Sequence, residues 1–282
     1  MNEQALKDRL RNIAKEKGIS FNECLQKLFL ERFLVRLSAS SQSNNFIFKG
    51  GLLLSYLMEI GRETVDLDFL LTKMKARKDL IQIAIQTIIS KEIKDGFVFI
   101  LESIEPLTQP HMNYEGYRVT LTAKFGHMKN KIQIDIGIGD SVIPINRSIP
   151  LFQYGDSSFF TGEITLSAYP LEFIFAEKLE TVLSKGSLNS RMKDYHDLLL
   201  MIRNEKKIID HKKLNKAIEK TFKTRGTELK LIVFDEFELK TLQKFWSAHI
   251  RNLGNISLKL NLPKEIQTVI SKINIFCKDF LL

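Results

Sequence analysis

Every stretch with a two-residue repeat lies before Pro170, and the chain after it reads as almost wholly helical. "YRVTLTAKFG" (117–126) and "KNKIQIDIGIGD" (129–140) alternate with period 2. In the second, Ile132, Ile134, Ile136 and Ile138 share one face, while Lys131, Gln133, Asp135 and Gly137 share the other. Beyond Pro170 the apolar spacing is helical, ending with helices near 210–222, 236–252 and 263–280. Strands gathered first and helices gathered last imply an α+β fold. The expectation is a mixed β-sheet with flanking helices over residues 1–168, followed by an α-helical region over 169–282. The 282 residues are enough for one large domain or two of ordinary size, and 44% apolar residues supply a core.

Local signals place the elements. The leading helices occupy 3–39; Lys17-Gly18 ends the first, and "SFNE" (20–23) reads as a capping box for the second, Ser20 capping and Glu23 reaching back. "SASSQSNN" (38–45) is a polar linker. "FIFK" is a short strand, and Gly50-Gly51 turns it into a helix over about 52–59. "RETVDLDFLLT" follows as a strand, then a helix over 77–94, the strand "GFVFILESIEPL", a loop rich in Pro, Gly and Ser over 139–161, and the strand "GEITLSAYP".

The net charge of +9 and pI near 9.4 favour polyanionic partners. Cys24 and Cys277 are the only cysteines, too few for a disulfide framework or a thiolate metal site, and reduced cytoplasmic thiols are expected. No apolar run reaches the ~18 residues of a membrane span. The five histidines show no zinc spacing, and no Ser-His-Asp or Cys-His grouping is visible.

Asp66 and Asp68 stand two apart in the strand "TVDLDF". Residues i and i+2 of a strand share a face. Val65, Leu67 and Phe69 are therefore expected in the core, with both aspartates on the other side. Two carboxylates so close raise each other's pKa unless a cation lies between them. Mg²⁺ resolves the conflict, because it takes one or two carboxylates together with substrate phosphates. Asp135, on the polar face of its own strand, adds a third ligand if the two strands pair, and two metals then become possible. The plainer reading of the pair is a solvated sheet face. Gly50-Gly51 just upstream shifts the weight, since backbone N–H groups at a glycine turn opening a helix cradle phosphate.

In the helix opening at Pro170, taken as position N1, Leu171, Ile174, Phe175, Leu179, Val182 and Leu183 form an apolar stripe with Lys178 inside it. Glu177 and Glu180 face elsewhere. Lys178 either snorkels to the surface or projects its ammonium into a cleft holding an anion. Asp194 and Asp197 in "RMKDYHDLLLM" suit a helix dipole, or else one of them accepts a proton or orders Lys178. Met192, Tyr195, Leu198, Leu199 and Ile202 form the buried side there, and His196 reads as a surface histidine. Arg62 is a plausible phosphate clamp. The basic runs at 124–131, 185–193 and 206–224 are solvated faces or, with an RNA substrate, phosphate tracks.

Taken in order, "FKGG", "RETVDLDF", "KIQIDIGIGD", "YPLEFIFAEKLETVLSKG", "RMKDYHDLLLM" and "TFKTRGTEL" resemble the AbiEii/AbiGii toxins of bacterial type IV toxin–antitoxin systems, within the nucleotidyltransferase superfamily. The resemblance implies a nucleotidyltransferase-like sheet and Mg²⁺-dependent transfer of NMP from an NTP. It implies Asp66 and Asp68 as metal ligands, joined by Asp135. Lys178 would lie at the triphosphate and Asp194 or Asp197 in the site. Gly50 and Gly51, Arg62 and Lys178 would contact the nucleotide. Leu52 and Leu53 stand where the family carries small or hydroxyl residues, so Ser55 is the nearest hydroxyl. The implied acceptor is RNA, with a tRNA 3′ end first among candidates, and the implied partner a separately encoded antitoxin that forms no stable complex. Two alternatives stand beside it: the same chemistry on a small molecule or protein, and a catalytically silent GTP- or RNA-binding protein.

Overall fold

The computed structural model describes residues 1–107, 116–140, 142–154, 157–160 and 162–278. The chain forms two compact units, Met1–Met58 with Glu63–Tyr169, and Glu59–Arg62 with Pro170–Leu282. The first contains helices α1 (Glu3–Lys17) and α2 (Phe21–Ser38), strand β1 (Phe46–Lys49), helix α3 (Gly50–Leu57), strand β2 (Asp66–Leu71) and helix α4 (Lys78–Ile89). Strands β3 (Phe97–Pro106), β4 (Gly116–Phe125), β5 (Met128–Gly137), β6 (Ile145–Pro150), β7 (Gln153–Tyr154), β8 (Ser157–Ser158) and β9 (Glu163–Ala168) complete it.

Seven strands form one mixed sheet in the order β3-β4-β5-β2-β1-β9-β6. The pairs β2–β5 and β1–β9 are parallel, and the rest antiparallel. The expected α+β architecture is thus present. One face buries Phe48, Leu67, Phe69, Val119, Leu121, Ile132, Ile134 and Ile136, each at most 1% exposed. Helix α2 lies on this face, Phe29 edge-on to Phe97 and Phe33 to Phe99. Burying such rings contributes about 25 cal/mol per Å² of apolar surface and dominates the unit's stability. Arg32 and Arg36 of the same helix are also buried, and both are paired with Asp95 ahead of β3.

The second unit is helical: α5 (Leu171–Lys185), α6 (Met192–Arg203), α7 (Glu205–Ile208), α8 (His211–Arg225), α9 (Glu236–Leu253), α10 (Asn255–Lys259) and α11 (Ile266–Cys277). Trp246 of α9 is fully buried, and its indole N–H donates to the Pro263 carbonyl at 2.8 Å.

Several sequence expectations are corrected. Ser20 accepts from the Glu23 N–H, but the Glu23 carboxylate pairs with Lys27; the two-way capping box forms instead at Asp235 and Glu238. Helix α3 begins at Gly50 rather than Leu52. Val65 precedes β2 and is 40% exposed, because pairing starts at Asp66. Ile138 lies past the end of β5 and is half-buried. The stretch 139–161 is not all loop, since β6 pairs with β9 as the sheet's edge; residues 141, 155, 156 and 161 lie outside the described residues. Pro170 is the N-cap of α5, not its first helical residue. Glu180 is buried, held by Arg225 and Thr227. Leu183 and Ile202 are only half-buried. The last helix ends at Cys277, and residues 279–280 of the expected span lie outside the described residues.

Candidate active site

The first unit carries its acids across neighbouring strands. In the antiparallel pair β1–β2, Lys49 is the partner of Asp68; in the parallel pair β2–β5, Asp68 is the partner of Asp135; in β4–β5, Arg118 is the partner of Asp135. Cross-strand partners share a face. Four strands therefore present a row, Lys49, Asp68, Asp135, Arg118, on the side away from the aromatic core. Asp66 lies one pleat along, opposite Gln133. The sequence leaves two carboxylates in search of a cation; the fold places one cation at each end of the row.

Arg118 holds Asp135 through two bonds, 2.8 Å and 2.7 Å. That hydrogen bonding raises the Arg118 pKa, with Asp66 and Asp68 adding to it. Lys49 reaches toward Asp140 and the Tyr169 hydroxyl, each at 3.4 Å, with its ammonium 4.5 Å from the Tyr169 ring centre. None of Lys49, Arg118 or Asp140 was singled out from the sequence. Period-2 alternation in β4 puts Arg118 on the polar face with Thr120, Thr122 and Lys124, which was the signal available.

Gly50 joins this group. Its φ is +77°, a left-handed conformation suited to glycine. A Cβ built there would lie 2.5 Å from the Asp68 carboxyl carbon. The turn and the acid are moulded to one another, and α3 starts at the contact. Ser55 is turned elsewhere: its hydroxyl donates to the Leu52 carbonyl at 2.7 Å. With Glu31, Tyr56, Lys17 and Phe152 it lines a cleft of about 530 Å³. At the floor of that cleft the Glu31 carboxylate accepts from the Phe152 N–H and the Tyr56 hydroxyl. Burial pushes its pKa up to about 7.

Among the described residues no three His, Cys, Asp or Glu side chains are gathered closely enough to hold a metal by themselves. The donor set still fits Mg²⁺, which needs only one or two carboxylates besides water and phosphate. Asp66 and Asp68 meet that requirement on one face. Asp135 joins only by exchanging Arg118 for metal.

The second unit carries a separate charged cluster. Arg62 grips Asp197 with Nε at 2.8 Å and a terminal nitrogen at 2.6 Å. Lys178 of α5 bridges Asp194 at 2.9 Å and Asp197 at 2.7 Å, and Arg191 adds a contact to Asp194 at 3.0 Å. Three cations, Arg62, Lys178 and Arg191, thus face these two carboxylates. Lys178 does not snorkel: its side chain is 11% exposed. Burial works to lower its pKa, but the two carboxylates outweigh burial and raise it. Burial likewise opposes ionisation of Asp194 and Asp197, yet Lys178, with Arg191 or Arg62, holds both below the ordinary carboxylate range. Both acids are thus fixed anions that position Lys178, and their bonds use two of its three N–H groups.

His196 is fully buried, contrary to its reading as a surface residue. Its Nε2 lies 2.8 Å from the Ile60 carbonyl and its Nδ1 2.9 Å from His249 Nε2. A carbonyl only accepts, so Nε2 carries the proton and Nδ1 accepts from His249. Burial drives the His196 pKa down to about 4. This chain anchors Glu59–Arg62. Gly61 is pressed onto α10, where a Cβ would meet Ile256 at 2.6 Å, and Arg62 is thereby held on Asp197. A histidine flanked by two aspartates in sequence carries no signal for such a partner 53 residues away.

No helix among the described residues is long and apolar enough to cross a membrane. No curated protein matches the chain. Among solved structures, one described as a candidate nucleotidyltransferase from H. pylori is 14% identical, covering 93% of this chain and 96% of that one at TM-score 0.45. The JHP933 protein from Helicobacter pylori is also 14% identical, covering 93% of this chain and 92% of that one at TM-score 0.44. The family model described as nucleotidyl transferase AbiEii toxin, type IV TA system, matches residues 32–264, so the chain belongs to the AbiEii family of nucleotidyltransferase toxins from toxin–antitoxin systems.

Proposed function

We propose that this toxin transfers NMP from an NTP to an RNA hydroxyl, at a tRNA 3′ end, in a Mg²⁺-dependent reaction. The observation that carries the reading is the pairing of Asp66 and Asp68 on one sheet face, with the Gly50 backbone packed against Asp68 where α3 begins. Asp66 and Asp68 would hold Mg²⁺, which when bound neutralises phosphate charge and polarises the reacting phosphoryl group. The amides at Gly50 and Gly51 take phosphate oxygens at the helix N-terminus. The RNA hydroxyl forms a bond to the α-phosphorus, the bond to pyrophosphate breaks, and the hydroxyl proton passes to solvent or a nearby carboxylate. In the second unit Lys178 stays protonated, held by Asp194, Asp197 and Arg62, with an N–H suited to an anionic oxygen. The protein acts in the cytoplasm, and its antitoxin neutralises it without forming a stable complex.

The test is label transfer from each α-labelled NTP to total tRNA, total RNA or protein, with Mg²⁺ or with chelator. Label on the 3′ nucleotide of tRNA, lost with chelator and in Asp66→Asn and Asp68→Asn, is expected. Label on protein alone moves the acceptor to protein. Label nowhere, with RNA or GTP binding unchanged in Asp66→Ala, overturns the enzymatic reading in favour of a silent binding protein.

A further inference from the structure

The register of β4 and β5 sets Lys124 beside Lys129, Thr122 beside Lys131, Thr120 beside Gln133 and Arg118 beside Asp135. These residues alternate with Val119, Leu121, Ala123, Ile132 and Ile134, all fully buried. They therefore lie on the face away from the aromatic core. Edge strand β3 extends this face with Val98 and Ile100, which are 55% and 40% exposed. On the other flank β2 adds Asp66 beside Gln133 and Asp68 beside Asp135.

Charge is graded along these strands. Lys124, Lys129 and Lys131 sit at the β4–β5 turn end, and Asp66, Asp68 and Asp135 at the opposite end, with Glu105 across from Arg118. Lys129 and Lys131 are exposed. None of the three lysine ammoniums forms an ion pair among the described residues, whereas Arg118 at the acidic end does. Successive pairs repeat about every 7 Å, and the face runs roughly 20 Å from Lys129 to Asp135. That repeat is comparable with the phosphate spacing of an extended nucleic-acid strand. Among the described residues, β2, β3, β4 and β5 put no aromatic side chain on this face, so these strands offer phosphate contacts and hydroxyl or amide partners but no stacking platform.

We infer that this open sheet face is the track for a single-stranded RNA segment, its phosphates on Lys124, Lys129 and Lys131 and its 3′ hydroxyl toward Asp66 and Asp68. The direction of the strand rests on the nucleotidyl-transfer reading above; the track itself does not. Binding led by phosphates is strongly salt-dependent and tolerant of sequence.

The experiment uses the full chain and a labelled single-stranded RNA of roughly ten nucleotides, titrated by fluorescence anisotropy at several salt concentrations. Lys124→Gln, Lys129→Gln and Lys131→Gln combined should weaken binding about tenfold or more and reduce the log–log salt slope by about 2. Lys212→Gln, Lys216→Gln and Lys220→Gln combined remove the same charge from α8 and should leave affinity within about twofold. Circular dichroism and thermal melting check that both variants fold. Unchanged affinity and slope in the sheet variant, or an equal loss in the α8 variant, overturns the track. So does finding that polyglutamate competes as well as RNA and depends on the same lysines, which would assign the face to an acidic polypeptide. A reduced slope in a protein that labels no acceptor keeps the track and rejects the transfer reading.

Discussion

Gly50 and Asp68 are packed so closely that no side chain fits between them. Beyond the 2.5 Å approach to the Asp68 carboxyl carbon, a Cβ on residue 50 would meet Asp68 Cβ at 2.6 Å. The glycine is also held at positive φ, so its conformation and its missing side chain serve the same contact. The strand-to-helix turn therefore fixes where one of the two paired carboxylates can lie.

Gly50→Ala should carry two penalties. The left-handed backbone costs about 1–2 kcal/mol for a residue with a Cβ. Displacing Asp68 then removes function beyond what the stability loss accounts for. Thermal melting should show a soluble protein that is modestly destabilised, and label transfer should fall as far as in Asp68→Asn. A folded Gly50→Ala protein with parental activity would show that Asp68 need not sit where the turn puts it.

Asp197 is fully buried between Lys178 and Arg62. Removing one partner of a buried pair leaves uncompensated charge, typically at about 3–5 kcal/mol. Asp197→Asn is expected in that range, well above Asp135→Asn at a half-exposed site. The sign with pH follows from the lowered pKa values of Asp194 and Asp197. Their contribution is present above the ordinary carboxylate range and is lost as pH falls toward their folded values. Urea midpoints measured between roughly pH 5 and pH 3 should drop steeply in the parent and less steeply in Asp197→Asn. Parallel curves would contradict the assignment.

Much of this was readable in the sequence because periodicity reports faces. The alternation through Ile132, Ile134 and Ile136 fixes the core side of β5, and Leu67 and Phe69 fix that of β2. The aspartate pair follows from the same rule. Pairing partners are another matter, since register depends on contacts far apart in sequence. Lys49 beside Asp68 and Arg118 beside Asp135 are products of strand order, and strand order is not written in any local pattern. The edge strand β6 was missed because Pro, Gly and Ser flank it and only two of its residues, Ile145 and Ile149, are strongly apolar. His196 was misread for a related reason. Its helix looked amphipathic, but α9 and Glu59–Arg62 cover the side that sequence assigned to solvent.

Glu31 gives a pH effect of opposite sign. Its folded pKa, near 7, lies above its ordinary value of 4.5. A raised acid stabilises the fold below its unfolded pKa, and that contribution disappears as pH rises through about 7. Glutamine can accept from the Phe152 N–H and donate to the Tyr56 oxygen, so Glu31→Gln keeps both contacts without the charge. It should match the parent near pH 4 and exceed it above pH 8 by up to about 3 kcal/mol. Chemical denaturation at the two pH values tests this; equal stability at both would place Glu31 in a solvated setting.

The His249–His196–Ile60 chain predicts a difference between two substitutions at one position. His249→Ala leaves His196 Nδ1 buried without its donor, at a cost of about 1–3 kcal/mol. His249→Gln supplies an amide N–H toward the same atom and should recover most of that loss. Because the Ile60 carbonyl anchors the segment carrying Arg62, the alanine variant should also speed amide exchange across residues 59–62, while glutamine restores protection. The pH dependence follows from the buried imidazole. Unfolded His196 binds a proton below its ordinary value of 6.5, whereas the folded residue resists protonation until about 4. Stability should fall as pH drops between those values, and His196→Gln should flatten that decline. Equal exchange rates in parent and His249→Ala, or an unaltered decline in His196→Gln, would mean that the imidazole pair does not anchor the Arg62 segment.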